Sequence, residues 1–198
     1  MNRRNLAAAP LIVASAMAMP SWAAPAPDHG SCLAGLCIED RSATERTVIR
    51  RLGRGTASTG AAGARTHCYV DTQAGVWAEF GFEDHPSRWS RPTLNSIMLT
   101  TTPLCAAESG RREPDLGRRL GGIAIGWPEA AVVERLGPPY RIDDLKELEH
   151  RHHTAVARRN RSDFGETAYV YADPDTLRFL FVFLEKGVVK TLWFAETE

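Results

Sequence analysis

Four groups of residues in this chain have types and spacings that could do chemistry. Glu147, His150 and His153 recur every three residues, which on a helix sets a carboxylate and two imidazoles on adjoining turns, the ligand types zinc takes. Glu149, Arg151 and His152 fill the gaps with further charge, so the stretch reads first as a solvated surface, and Glu147, His150 and His153 stand only as the residues a metal would use. Asp84, His85 and Ser87 offer an acid, a base and a hydroxyl, but neighbours in one short loop do not make the spatial arrangement of a triad. The chain has no G-x-S-x-G elbow, H-E-x-x-H helix or phosphate-binding glycine loop. The expectation is a protein that is not an enzyme and carries no cofactor.

The third group is the set of four cysteines, Cys32, Cys37, Cys68 and Cys105. An even count in an exported chain reads as two disulfides. Of the three possible pairings, Cys32 with Cys37 closes a short local loop, and Cys68 with Cys105 ties together segments expected in one sheet. The fourth group is Arg88, Trp89 and Arg91, in a long loop between two strands. Tryptophan and arginine supply most of the binding energy when they enter a partner's pocket, so this loop is the candidate anchor, with Trp77 on the adjoining strand beside it. The bland alternative folds Trp89 back onto its own sheet under a stacked arginine.

Export is read from residues 1–23. Arg3 and Arg4 precede an apolar run that ends at Met19, and Ser21-Trp22-Ala23 places small residues where a signal peptidase reads them, so cleavage is expected after Ala23. The run spans about 21 Å as a helix, short of a hydrocarbon core of about 30 Å. No later segment is long and apolar enough to insert, and His29-Gly30-Ser31 ahead of Cys32 is no lipid-attachment motif. The 198 residues carry 24 basic and 24 acidic side chains, 43% hydrophobic residues and 8% aromatics: enough to build a core, and without the basic excess that nucleic-acid binding leaves.

The elements that must position these groups recur along the chain. Val48-Ile49-Arg50-Arg51-Leu52-Gly53 matches Val132-Val133-Glu134-Arg135-Leu136-Gly137, each a helix stopped by glycine. Ser42 and Glu45 have capping-box spacing ahead of the first helix, and Pro128-Glu129 opens the second. Gly35-Leu36-Cys37-Ile38 parallels Gly122-Ile123-Ala124-Ile125, and Tyr69-Val70 parallels Tyr169-Val170. Residues 53–63 read as a small-residue loop, and three antiparallel strands follow in each half, with Val76, Ala78, Phe80 and Phe82 on one face in the first half, and Leu177, Phe179, Phe181 and Phe183 set on the equivalent face in the second. The expected fold is α+β: two tandem helix-plus-antiparallel-meander modules, with helices layered on one face of the sheet and the sheet either pairing across the modules or packing closely. The divisions are a signal peptide at 1–23, an N-terminal segment at 24–34, module 1 at 35–106, a linker at 107–120 and module 2 at 121–198.

The second-half pattern, a glycine-aliphatic lead, a short helix ending in Leu136-Gly137-Pro138-Pro139, a tyrosine-bearing strand and an aromatic meander, resembles the module of the SmpA/OmlA (BamE) outer-membrane assembly proteins. Two such modules in one exported chain resemble the beta-lactamase inhibitory protein fold. The resemblance implies binding to another envelope or secreted protein without catalysis, as an assembly factor or inhibitor. No functional residue carries over, because the assembly proteins are lipidated single modules.

The strand through Phe179 to Leu184 is apolar on both sides, since Leu180, Val182 and Leu184 alternate with the phenylalanines. Something must cover the second side. A partner would do it, and so would a helix from Asp143 and Asp144 through Leu145, Leu148, His152 and Ala155 or Val156 to Arg158 and Arg159. The alternative functions are a small-ligand or metal-binding periplasmic protein, or a hydrolase with an unfamiliar site.

Overall fold

The computed structural model describes residues 30–40, 42–59, 65–83, 92–106, 113–145, 163–173 and 177–196. The export signal, the Arg88, Trp89 and Arg91 loop, and Glu147, His150 and His153 lie outside these residues.

Two hairpins and two helices precede the strands they pack on. In the first half, β1 (Cys32–Leu33) and β2 (Leu36–Cys37) pair antiparallel, and α1 (Glu45–Leu52) follows. Next come β3 (Thr56–Thr59), β4 (Arg65–Asp71), β5 (Val76–Glu83) and β6 (Thr93–Thr100). In the second half, β7 (Arg119–Leu120) and β8 (Ile123–Ala124) form the hairpin, and α2 (Glu129–Leu136) follows. Then come β9 (Arg141–Asp144), β10 (Thr167–Asp173), β11 (Arg178–Glu185) and β12 (Val188–Glu196).

The helices start and stop for identifiable reasons. Thr44, extended, caps α1 by accepting from the Thr47 N–H at 3.4 Å, and Glu45 in the first turn meets the positive end of the helix dipole. The cap is Thr44 and not Ser42, whose N–H is already given to the Asp40 carboxylate at 2.9 Å. Pro128 caps α2 without a side-chain bond, and the first N–H, that of Glu129, is donated instead to Gly187 O at 2.9 Å in the β11–β12 turn. Gly53 and Gly137, at φ 84° and 80°, end the two helices and return their N–H groups to Ile49 O and Val133 O.

The expected pair of tandem helix-plus-meander modules is not what the chain builds. Its mass is one eight-stranded antiparallel sheet in the order β3-β4-β5-β6-β12-β11-β10-β9. Strands β6 and β12 are hydrogen-bonded neighbours, Thr191 opposite Thr100 through Ala195 opposite Ser96, so the ladder runs unbroken between the halves. Each half gives four strands to the sheet, where three were expected. Thr56–Thr59, expected in a small-residue loop, and Arg141–Asp144, whose acids were expected to open a helix, are the two edge strands. The helices are too small to form a layer over it: eight residues span about 12 Å, against about 34 Å for eight strands.

The two hairpins complete the cover. Leu33, Leu36 and Ile38 from the first, and Leu120, Ile123 and Ile125 from the second, join Val48 of α1 and Val132 of α2 in one core. That core lies on the sheet face presented by Tyr69, Phe80, Ile97, Leu99, Val182 and Leu192. Leu116, in the segment expected as a linker, is buried there too.

Candidate functional site

The sheet has a second face, and its residues follow from the register. Phe181 lies across from Trp193, Trp193 from Met98, Met98 from Glu79, and Glu79 from Cys68, so these five side chains form a row on the side away from α1 and α2. The next row sets Phe183 beside Thr191, Thr100 and Trp77. Phe179, Phe181 and Phe183 therefore face away from the helices, and Leu180, Val182 and Leu184 face the core, the reverse of the phase read from the sequence. An alternation that is apolar at every position carries no phase, and a one-residue slip exchanges the faces.

Phe181 is the hub of an aromatic stack. Its ring lies 5.0 Å from that of Trp193 at 24°, 6.1 Å from Phe179 at 27° and 6.3 Å from Phe183 at 24°, all stacked. One end of this strip is closed: Phe183 is buried under Phe164 and Leu145, at 6.1 Å between the two phenylalanine rings. Among the described residues nothing closes the other end, and Phe179, Phe181, Trp193 and Met98 are all half-buried. The question of what covers the second apolar side thus moves to this face. Leu145, expected on the covering helix, does contribute, directly after β9, while Leu148, His152 and Val156 lie outside the described residues.

Trp77 sits on the same face, half-buried, with its indole N–H donated to Cys105 O at 3.0 Å. The structure bonds Cys68 to Cys105 across a separation of 37 residues, which ties the chain after β6 to β4 beside Trp77. The Cys32–Cys37 bond closes the first hairpin. Arg88, Trp89 and Arg91 belong to the β5–β6 connection, which leaves the sheet from Glu83 and returns at Thr93, at the Phe179 end of the strip.

Polar groups on the helix side act as clamps. Glu45 of α1 accepts from Arg65 at 2.8 Å and contacts His67 Nε2 at 2.7 Å, both on β4. Glu129 of α2 accepts a short bond from the Tyr169 hydroxyl on β10. Tyr69 donates to Gly53 O at 3.0 Å and Tyr171 to Gly137 O at 3.3 Å, so each helix end is also held by a tyrosine. Burial pushes Tyr69 and Tyr171 up to about 12, and Tyr169 reaches about 12 chiefly because its proton is held by Glu129.

A cleft of about 1190 Å³ at the β4 edge is lined by Arg51, Arg54, Tyr69, Asp71, Glu113 and Asp115 among others, with no histidine or serine in its described lining. Among the described residues one cluster has metal-ligand geometry, Cys32, Cys37 and Glu39, and its two sulfurs are spent in the disulfide. No helix of the described residues is long and apolar enough to cross a membrane. The aromatic strip was hidden from sequence reasoning by the phase of β11 and by Trp193, whose place beside Phe181 only the register reveals.

No protein-family model matches the chain, and no curated protein matches it. Among solved structures it is similar to a DUF4309 family protein from Bacillus subtilis, at 18% identity and a TM-score of 0.43, over 82% of this chain and 83% of that one.

Proposed function

We propose that this protein is exported and noncatalytic, and that it binds another envelope or secreted protein, as an assembly factor or inhibitor, through the sheet face centred on Phe181 and Trp193. The observation that carries this reading is the open end of the aromatic strip. Four large apolar side chains, Phe179, Phe181, Trp193 and Met98, are stacked or aligned on neighbouring strands and only half-buried. Aromatic rings fixed on a hydrogen-bonded sheet lose little freedom on binding, which is what makes such residues effective anchors. Trp89, with Arg88 and Arg91, extends this surface in the proposal, because its loop leaves the sheet at the open end of the strip. The resemblance to assembly and inhibitor proteins supplies the class of partner.

Export supports the same reading. All four cysteines are paired, which suits an oxidising compartment, and the leader at 1–23 accounts for delivery there, the periplasm being the proposed destination. The mature chain recovered from a periplasmic extract should begin at Ala24.

The test is binding by purified components. A partner captured from the native periplasm is to be titrated against the parent, Phe181→Ala and Trp193→Ala, each checked for folding by circular dichroism. Each substitution should weaken binding by about 2 kcal/mol, near thirtyfold. Unchanged affinity for both folded variants would reject this face as the binding surface.

A further inference from the structure

We propose that the β9 edge pairs with the β9 edge of a second copy of this chain, about a two-fold axis through Ile142, so that one sheet continues through both copies. The backbone is poised for it. Leu145 N–H donates to Glu166 O at 3.0 Å, in register with Asp144 opposite Thr167, so Arg141 and Asp143 turn their backbone groups to β10. By that alternation Ile142 between them turns its N–H and C=O toward the edge that no described strand covers, while the Tyr140 N–H before it is donated to Val170 O at 2.9 Å.

The side chains fit the same axis. Tyr140 is 66% exposed and Ile142 57%, two of the four large exposed hydrophobics among the described residues. The opposite edge strand, β3, reads Thr-Ala-Ser-Thr and offers none. The segment Arg141-Ile142-Asp143 is complementary to itself when reversed about Ile142, with Tyr140 falling opposite Asp144. Antiparallel pairing there sets Ile142 against Ile142 on one face, and Arg141 of each copy opposite Asp143 of the other on the second face.

Within one copy Arg141 already holds Asp143, with Nε at 3.0 Å and Nη2 at 2.8 Å from one carboxylate oxygen. Pairing exchanges or shares these partners, and no ion is left alone. Charges on edge strands ordinarily repel further strands, but this arrangement of signs accepts its own copy and disfavours a strand of other pattern. The contact is short, so the dimer is concentration-dependent.

Sedimentation velocity on the exported protein, expressed from its full chain, should show a dimer fraction that grows across a concentration series. Ile142→Lys places two ammonium groups on the axis and should leave monomer throughout. Arg141→Asp sets like charges opposite each other twice and should weaken association about tenfold. The double exchange R141D/D143R restores the opposition of signs and should recover the parent's association. Because Arg141 and Ile142 are exposed, these variants should keep the parent's circular dichroism; if I142K does not, the charge pair decides. A parent that stays monomeric, variants that associate like the parent, or a folded double exchange that fails to recover association would each overturn the proposal. A dimer that persists in these variants but is lost in F181A would place self-association on the aromatic face instead.

Discussion

The hydroxyls of Thr100 and Thr191 lie 2.7 Å apart, both residues fully buried, on the two strands that join the halves of the sheet. Thr100 Oγ1 also accepts the Thr102 N–H at 3.0 Å, so the two threonines are not equivalent. Thr191→Val leaves Thr100 one partner and should cost about 1 kcal/mol. Thr100→Val orphans the buried Thr191 hydroxyl and the half-buried Thr102 N–H and should cost about 2 kcal/mol. Urea denaturation of the two variants checks the order; equal losses would show that the Thr102 bond contributes nothing.

The phase of β11 has its own test. Val182 is 0% exposed and faces the helix-side core, whereas Phe179 is half-buried on the other face. Val182→Asp should abolish folding, because an unpaired charge would sit in the core, and Phe179→Asp should leave a folded protein with a lower melting temperature. The opposite ranking would return the strand to the phase first read from the sequence.

That misread phase shows what the sequence carried and what it did not. Gly53 and Gly137 announced helix ends because only a few residues take a positive φ cheaply, and Val76 to Phe82 announced a strand and its face because Glu79 and Gly81 fall between apolar residues at alternate positions. The cysteines could be paired because Cys32 and Cys37 are near neighbours and because β4 and the chain after β6 were expected in one sheet. β11 has no polar residue between Phe179 and Leu184, so its pattern names a strand and no face. β3 was lost because Thr56 to Thr59 bury nothing, and β9 because its two aspartates read only as the start of the helical turn that opens at Leu145. The junction of β6 with β12 depends on edges meeting, which no local pattern encodes.

The disulfides should contribute unequally. Loop-closure entropy assigns about 4 kcal/mol to Cys68–Cys105, with its separation of 37, and about 2 kcal/mol to Cys32–Cys37, with its separation of 5. Paired Cys→Ala variants, unfolded in urea without reductant, should lose stability in that order.

Alkali should destabilise the fold through its tyrosines. Tyr69, Tyr169 and Tyr171 are pushed up to about 12 in the folded chain, above the value of about 10 expected when unfolded. Raised values mean that their contribution is complete below pH of about 10 and is lost as pH climbs toward about 12. Urea midpoints should fall across that interval, and Tyr69→Phe should flatten the fall. A midpoint insensitive to pH there would contradict the clamps drawn from Tyr69 to Gly53 and from Tyr169 to Glu129.

Gly165 is fixed by its neighbours. A Cβ there would meet Leu184 O at 2.8 Å and Leu184 N at 3.1 Å, both backbone atoms of a central ladder. Gly165→Ala should cost about 1–3 kcal/mol in thermal or urea unfolding. Wild-type stability would mean that the turn into β10 moves freely.

The position of β12 also governs how the molecule is made. It is translated after every other strand, yet it lies between β6 and β11 in the middle of the sheet. A nascent chain therefore carries a bare inner margin on β6 and another on β11 until residue 196 has emerged. Such margins are what chaperones and proteases encounter, and the ladder that joins the two halves must wait for β12. Nicking or truncating that hairpin should therefore part the two halves of the sheet, each left with an uncovered inner margin.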